Sequence, residues 1–483
     1  MDWVALSVLV GIVALVLAAW AAPPLYARPQ EPRRRGVLVE EIEKRVPPLE
    51  HERGGRWPMI MFYNGEGIGL DPLPHQRIRM LLDRGLTQHI VLDEKMIPTA
   101  LALQEAGSPV IMVEGRGGPW PAREAGDPEL WAHQFDDGYE PEGHIRPCLN
   151  VYLGWAVNSD KVRGTLQKYK DAGVTVDAVW LDWEGDPLYG EDIYEQAMHC
   201  ARCRKQLKAW VLASEKDFRD YCWRQYLQLL GAYLAAPVLE VFPECSVTNW
   251  NVVYSTADHP VLTWENRVLP PSTPSMFTAT NPVAYGNTVF FHFWKEDWPL
   301  DREHVDQYYF HLLLREVSAD AANLLKYAPE KDCIPWVDRW CPDDMDPEIP
   351  IMSRERYRES LRHMWLRGVD GMQIFNPERS GYEELVLNEV QDAVAVYDEM
   401  LAYREFLDGG EIMCTDIPAE QDDGVVWSGL RLEDRAVVRA FKQGGGKETV
   451  RVEARPGTTV ELEAVPEGRT YVLKQQGDHI IVE

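Results

Sequence analysis

Short apolar runs recur through the middle of this chain, each closing on polar residues and each followed by an amphipathic stretch. They fall at residues 58–63, 89–92, 110–113, 176–181, 246–249, 288–293, 334–337 and 370–375, with a further extended piece at 147–154. Runs of this length bounded by turn signals read as strands buried on both faces. Between them the spacing predicts helices at 74–84, 96–106, 161–172, 218–235, 305–317 and 354–367. A long closing helix is predicted at 383–406, with Leu387, Val390, Val394, Tyr397 and Leu401 on one face. Eight strand–helix units in alternation predict an α/β fold, a (β/α)8 TIM barrel over residues 56–407.

The pattern changes at Asp408-Gly409-Gly410. Beyond it lie short alternating runs at 424–427, 436–441, 449–452, 459–462, 471–473 and 479–482, separated by turns such as Gln443-Gly444-Gly445-Gly446-Lys447. They predict a small antiparallel β-sandwich domain over 408–483. At the other end, Trp3 to Ala22 is almost unbroken apolar sequence, and Ala19-Trp20-Ala21 offers a small-x-small cleavage site. The run is also long enough to span a bilayer. Asp2 stands where a basic residue is usual, and Arg28, Arg33, Arg34 and Arg35 follow the run, a flank that tends to stay cytoplasmic. Residues 1–22 therefore read as a signal peptide or membrane anchor of an exported protein (secreted, periplasmic or membrane-anchored). The alternative is an anchored body that stays inside the cell. Residues 23–55, rich in Pro, Arg and Glu, read as a tether.

Charge excludes some partners. With 77 Asp and Glu against 49 Lys and Arg, the formal net charge is -28, so nucleic acid is not an expected partner. A polyanionic glycan would be repelled as well. The 18 Trp and 20 Tyr supply faces that either fill cores or stack on sugar rings. Eight cysteines permit disulfides in an exported protein. Cys200-Ala201-Arg202-Cys203 is a lone CxxC; a zinc site would need two more ligands, and His199 is the only adjacent candidate. The pair reads as a local structural site or a disulfide rather than a redox centre. No HExxH and no His-x-His at a strand end occurs, so neither catalytic metal nor cofactor is expected.

The chemistry concentrates after the fourth run. Asp182-Trp183-Glu184 closes it and Gly185-Asp186-Pro187 follows. Strand alternation puts Asp182 and Glu184 on one face and Trp183 on the other. Neighbouring carboxylates cannot both ionise freely, which leaves one proton donor and one anion. Two solvated loop acids are the plain alternative. In a barrel of this kind active sites lie at the C-terminal strand ends, where the pair is the equipment of a glycosidase. The other strand ends add Tyr63, Asn64, Glu114, Asn249, His292, Asp338 and Asn376. Together with Trp183 they form a candidate substrate-binding rim of donors, acceptors and ring faces for a carbohydrate.

Asp182-Trp183-Glu184 after an apolar strand resembles the hyaluronidases, and more broadly the chitinase-type barrels whose fourth strand ends in Asp-x-Glu. Other segments are similar in order: Phe62-Tyr63-Asn64 with Gly67-Ile68-Gly69-Leu70-Asp71-Pro72, Phe242-Pro243-Glu244-Cys245, and Gly368-Val369-Asp370-Gly371-Met372-Gln373-Ile374-Phe375. The likeness spans residues 59–380, is thin between these segments and omits the C-terminal domain. This chain departs from the hyaluronidases in having Gly185-Asp186-Pro187 after the glutamate, and Phe375-Asn376 near the place of their last-strand Trp. With the acidic net charge, hyaluronan itself is a poor candidate.

The resemblance implies that Glu184 is the general acid/base. It implies that Asp182 orients a substrate acetamido group whose carbonyl oxygen attacks the anomeric carbon, with Tyr63 or Tyr254 helping to hold that group. For a sugar without an N-acetyl group a second carboxylate must act, and Asp338, Glu114 and Glu378 are the candidates. Two other classes remain open: a non-catalytic glycan-binding barrel, and a barrel enzyme of another reaction type.

Overall fold

The computed structural model describes residues 37–61, 74–114, 126–181, 192–249, 276–285, 304–339, 351–375, 382–419, 423–477 and 479–483. The strands of the barrel are β1 (Met59–Met61), β2 (Leu86–Val91), β3 (Ile111–Glu114), β4 (Ala178–Leu181), β5 (Ser246–Asn249), β6 (Ala279–Thr280), β7 (Val283–Ala284), β8 (Asp332–Cys333), β9 (Trp336–Val337) and β10 (Gln373–Ile374). Every pairing among them is parallel, in the order β5-β4-β3-β2-β1-β10-β9-β7, with β6 paired to β8. The ring closes where Thr278 N–H donates to the Val247 carbonyl at 3.0 Å and Val247 N–H donates to Thr278 Oγ1 at 2.8 Å. Eight strand positions result, because β6 with β7 fills the sixth and β8 with β9 the seventh.

Both split positions carry a proline. Pro282 and Pro335 lack the N–H that a central ladder needs, so the pairing resumes on either side. Ile334 N–H reaches the Thr280 carbonyl at 3.0 Å and Trp336 N–H reaches the Pro282 carbonyl at 2.9 Å. The sixth strand thus lies at 279–284 rather than at 288–293; the latter residues, with His292, lie outside the described ones. The expected run was the more apolar, but the barrel needs only two short segments able to pair with β5 and the seventh position.

Helices wrap the strands: α1 (Val37–Arg45), α2 (His75–Asp83), α3 (Ile97–Ala106), α4 (Leu153–Asp171), α5 (Ile193–His199), α6 (Ala201–Gln206), α7 (Glu215–Leu230), α8 (Ala236–Val241), α9 (Val305–Tyr327), α10 (Arg354–Trp365), α11 (Glu383–Leu401) and α12 (Arg404–Gly409). A π-helical turn, Gly231–Ala235, joins α7 to α8. Of the tether expected over 23–55, residues 23–36 lie outside the described residues, and Val37–Arg45 forms the packed helix α1 instead. Leu38, Val39, Ile42 and Val46 are buried in the main core, and Arg45 grips Glu384 of α11 through two hydrogen bonds of 2.7 and 2.8 Å. Pro- and Arg-rich neighbours mask this apolar stripe in composition, and the packed body begins before residue 56. Among the described residues no helix is long and apolar enough to cross a membrane.

At the N-terminal end of the barrel, charged groups tie strands together. Asp177 Oδ2 accepts from Val110 N–H at 2.7 Å, and Asp370 Oδ2 accepts from Cys333 N–H at 2.8 Å. Arg56 donates to the carbonyls of Leu407, Val369 and Asp370 at 2.7, 2.9 and 3.2 Å and lies over the Trp365 ring. Burial, reinforced by Asp332, pushes the Asp370 carboxyl up to about 7. The native state therefore holds this proton well above the unfolded value of about 3.9. It binds more protons than the unfolded chain between those limits, so stability falls as pH rises from about 4 to about 7. Asp370→Asn keeps an acceptor for Cys333 and cannot ionise. It should flatten this limb, with a higher urea midpoint than wild type at pH 8 and little difference at pH 4.5. Parallel pH profiles would count against the assignment.

Beyond α12 lies the antiparallel domain: β11 (Glu411–Ile412), β12 (Val425–Leu432), β13 (Arg435–Lys442), β14 (Glu448–Arg455), β15 (Thr458–Ala464), β16 (Arg469–Gln476) and β17 (His479–Val482). The sheet β11-β12-β13-β16-β17 faces the β14-β15 ribbon across a core of Val438, Ala440, Val452, Leu462, Tyr471 and Leu473. Gly368 and Gly371, part of the family-like segment before β10, are explained by packing. Gly368 has φ 82° and a side chain there would overlap Ile412; one at Gly371 would press on Trp57.

Candidate active site

The residues of β4 alternate between two environments. Ala178 and Trp180 join Ile60, Ile111, Ala279 and Ile334, which fill the barrel interior. Val179 and Leu181 join the core between strands and helices. Trp180 is in register with Val113 of β3 and Thr248 of β5. Leu181 is the last described residue of the strand, so Asp182, Trp183 and Glu184 lie outside the described residues.

Above the aliphatic layer the interior becomes aromatic and polar. His89 of β2 stacks on Trp336 (centroids 5.5 Å, planes 28° apart) and meets Trp180 edge-on at 5.5 Å. Its Nε2 lies 2.8 Å from Gln373 Oε1 on β10. Burial lowers the His89 imidazole to about 4, so it is neutral near pH 7. Tyr285 stacks on Phe375 at 4.7 Å, and Phe375 meets Trp336 edge-on at 6.0 Å. Beneath the C-terminal ends of the strands there is thus a largely aromatic floor. His89 lies within a mixed strand, Leu86-Thr87-Gln88-His89-Ile90-Val91, where no local pattern singles it out.

Of the proposed rim, Glu114, Asn249 and Asp338 are described; Tyr63, Asn64, Trp183, His292 and Asn376 lie outside the described residues. The register places Glu114 and Asn249 beside Leu181, on the helix-facing side of the sheet rather than the interior. Asn249 is buried there and Glu114 half-buried. Taking the last residue of each strand ignores its parity, and parity decides which side it serves. Asp338 follows β9 and is fully buried. Next to it, Arg339 donates its backbone N–H to Glu389 Oε1 at 2.7 Å and its guanidinium to the Met352 carbonyl at 2.8 Å. Burial, and then the charges of Glu389 and Asp338, push the Tyr357 hydroxyl well up. Asp338 shares the parity of the inward-facing Trp336, while its charge is felt at Tyr357 of α10.

A second group of chemically active side chains does converge. His133, Cys148, Cys200 and Cys203 are all buried, and their potential ligand atoms lie within 4.8 Å of one another. They come from the connection that follows β3 and from α5–α6 after β4. His199, the neighbour suggested by sequence, is turned away: its Nδ1 lies 2.8 Å from Asp137 Oδ2 and its ring stacks on Tyr139 at 4.2 Å. His133 and Cys148 lie far upstream of the CxxC in sequence, so no local spacing joins them to it.

No protein-family model matches this chain, and no curated protein matches it. Among solved structures, an α-amylase from Lactobacillus plantarum is similar with a TM-score of 0.44 and 12% identity, over 87% of this chain and 99% of that one. A β-galactosidase from Halorubrum lacusprofundi gives 0.41 and 14%, over 73% and 59%. α-L-Fucosidase isoenzyme 2 from Paenibacillus thiaminolyticus gives 0.39 and 11%, over 72% of this chain and 50% of that one. The chain thus spans half the length of that fucosidase. With TM-scores below 0.5 these likenesses bear on no activity, and the barrel rests on its own strand pairing.

Proposed function

We propose that the chain is a glycoside hydrolase in which Glu184 is the general acid/base and Asp182 its partner, acting on a neutral oligo- or polysaccharide. The observation that carries this reading is the placement of β4. The apolar run ahead of Asp182 is the fourth strand of a closed parallel barrel, and Trp180 points inward. Asp182 and Glu184 share the sequence parity of Trp180 and follow the C-terminal end of β4, the end of such barrels where catalytic groups gather. The aromatic floor under that position suits the apolar face of a sugar ring.

Where the substrate carries an N-acetyl group, its carbonyl oxygen serves as the nucleophile and Asp182 orients it. Glu184 then protonates the departing glycosidic oxygen and later deprotonates water. Neither step calls for a metal. Residues 3–22 support an exported or membrane-anchored protein on the same reading.

The test is hydrolysis of neutral N-acetylated and non-acetylated oligosaccharides by the full chain, beside Glu184→Gln. Cleavage confined to N-acetylated sugars and lost in the variant supports substrate assistance. Cleavage of non-acetylated sugars keeps the hydrolase but requires a second carboxylate. Binding without any cleavage would replace the proposal with a glycan-binding barrel.

A further inference from the structure

We propose that His133, Cys148, Cys200 and Cys203 form a structural zinc site that pins the connection after β3 to the helices after β4. The distances suit a single ion. Cys148 Sγ and Cys203 Sγ are 3.6 Å apart, and Cys203 Sγ is 3.8 Å from His133 Nδ1. A tetrahedral zinc with its usual bond lengths sets S···S at about 3.8 Å and S···N at about 3.6 Å. A disulfide would need sulfurs about 2.05 Å apart, and the three cysteines are free thiols. An iron–sulfur cluster holds its thiolates farther apart than this group allows, because inorganic sulfides separate the irons. Three sulfurs and an imidazole select against magnesium and calcium, which take oxygen.

Hydrogen-bond donors face two of the sulfurs. Gln134 N–H donates to Cys200 Sγ at 3.4 Å, and Asn150 Nδ2 donates to Cys203 Sγ at 3.4 Å. Asn150 is itself held by the Tyr221 hydroxyl, which donates to its Oδ1 at 3.0 Å. Such outer donors to ligand sulfurs orient metal sites and moderate their charge. His133 is 4% exposed, and its Nε2 has no hydrogen-bond partner. A buried imidazole with one nitrogen on a thiol and the other unsatisfied is poorly accounted for as core packing.

The backbone is arranged around the same point. Cys148 N–H donates to the Trp131 carbonyl at 2.7 Å and His133 N–H to the Arg146 carbonyl at 3.2 Å, so two ligands share one short antiparallel pair. Ala201 N–H donates to the Gln134 carbonyl at 2.8 Å, which joins the CxxC to the same pair. From Gly126 to Tyr152 the regular structure consists of one 3₁₀ turn, Pro128–Leu130, and isolated bridges. The buried apolar residues there besides Cys148 are Ala132, Leu149 and Val151. A connection this long with so small a core needs another source of order, and a closed metal site supplies it. Four protein ligands leave no open position, so the ion is structural.

The inference stands apart from the hydrolase reading, since it concerns metal content. The full chain, purified under reducing, chelator-free conditions, should carry about one zinc by elemental analysis. Cys203→Ala should lose most of it, Cys148→His should keep it, and Cys245→Ser, at a buried cysteine outside the cluster, should leave it unchanged. Misfolding of the alanine variant is controlled by cobalt exchange of the wild type. The cobalt form should show thiolate charge transfer and the strong visible bands of a tetrahedral ion. Wild type without zinc that also gives no tetrahedral cobalt spectrum would overturn the site, as would Cys203→Ala with full zinc content.

Discussion

Glu184→Gln should lower kcat/KM for a substrate with an unactivated leaving group by roughly 10³-fold or more, within the range or above it for a lost general acid. The sugar alkoxide is a poor leaving group, and the amide that replaces the carboxyl cannot deliver a proton to it. An activated aryl glycoside departs without protonation, so the variant should lose far less on that substrate in the glycosylation step. The contrast between the two substrates is the diagnostic, because a folding defect would depress both alike. Asp182→Asn should behave differently on the proposed reading. It weakens the orientation of an acetamido group, so its loss should be confined to N-acetylated substrates and persist with the activated leaving group. Equal losses for Glu184→Gln on both substrates would remove the acid role from that residue. Kinetics with a matched pair of glycosides settles the matter without knowledge of the natural substrate.

The fold was legible because a barrel repeats one instruction. Apolar runs such as 176–181 and 110–113 fall on β4 and β3 because a strand buried on both faces has few polar options. The sixth position escaped this logic. Its two pieces flank Pro282 and are only two residues each, too short to stand out from a loop. Helix α1 escaped because its buried Leu38, Val39 and Ile42 sit among charges typical of a linker. The candidate site was legible as a motif and less so as a constellation. Glu114 and Asn249 were chosen by position after a strand, yet their register with Leu181 turns them toward the helices. The His133–Cys cluster shows the opposite limit. Half of its ligands form a CxxC, while the other half reach it through strand pairing that no local pattern records.

The other large expected effect concerns Glu359, which joins the barrel to the antiparallel domain. Arg439 of β13 holds both carboxylate oxygens of Glu359 on α10 with hydrogen bonds of 2.6 Å each, and both side chains are buried. Arg362 and His363 lie 3.2 Å from the same carboxylate. Gly468, with φ 65°, permits this approach, since a side chain there would strike Arg439 and Glu359. Burial alone would raise the Glu359 carboxyl, but its bonds to His363 and Arg439 prevail and hold it at about 2. Glu359→Ala strands a buried guanidinium and should destabilise the chain by about 3–5 kcal/mol, the usual consequence of breaking a buried pair from one side. Glu359→Met with Arg439→Met together should recover much of that loss, because no charge is then left unpaired. The pH dependence has a definite sign. Glu359 is about 4.3 when unfolded, so its contribution is complete above that value and is lost as pH falls through about 2. Burial lowers His363 to about 4, and it adds a loss between about 6.5 and 4, where the unfolded chain takes up a proton that the native state refuses. Urea midpoints for wild type, the single variant and the double variant across pH 3 to 7 test the pairing. A double variant no more stable than Glu359→Ala would show that the carboxylate acts through something other than charge.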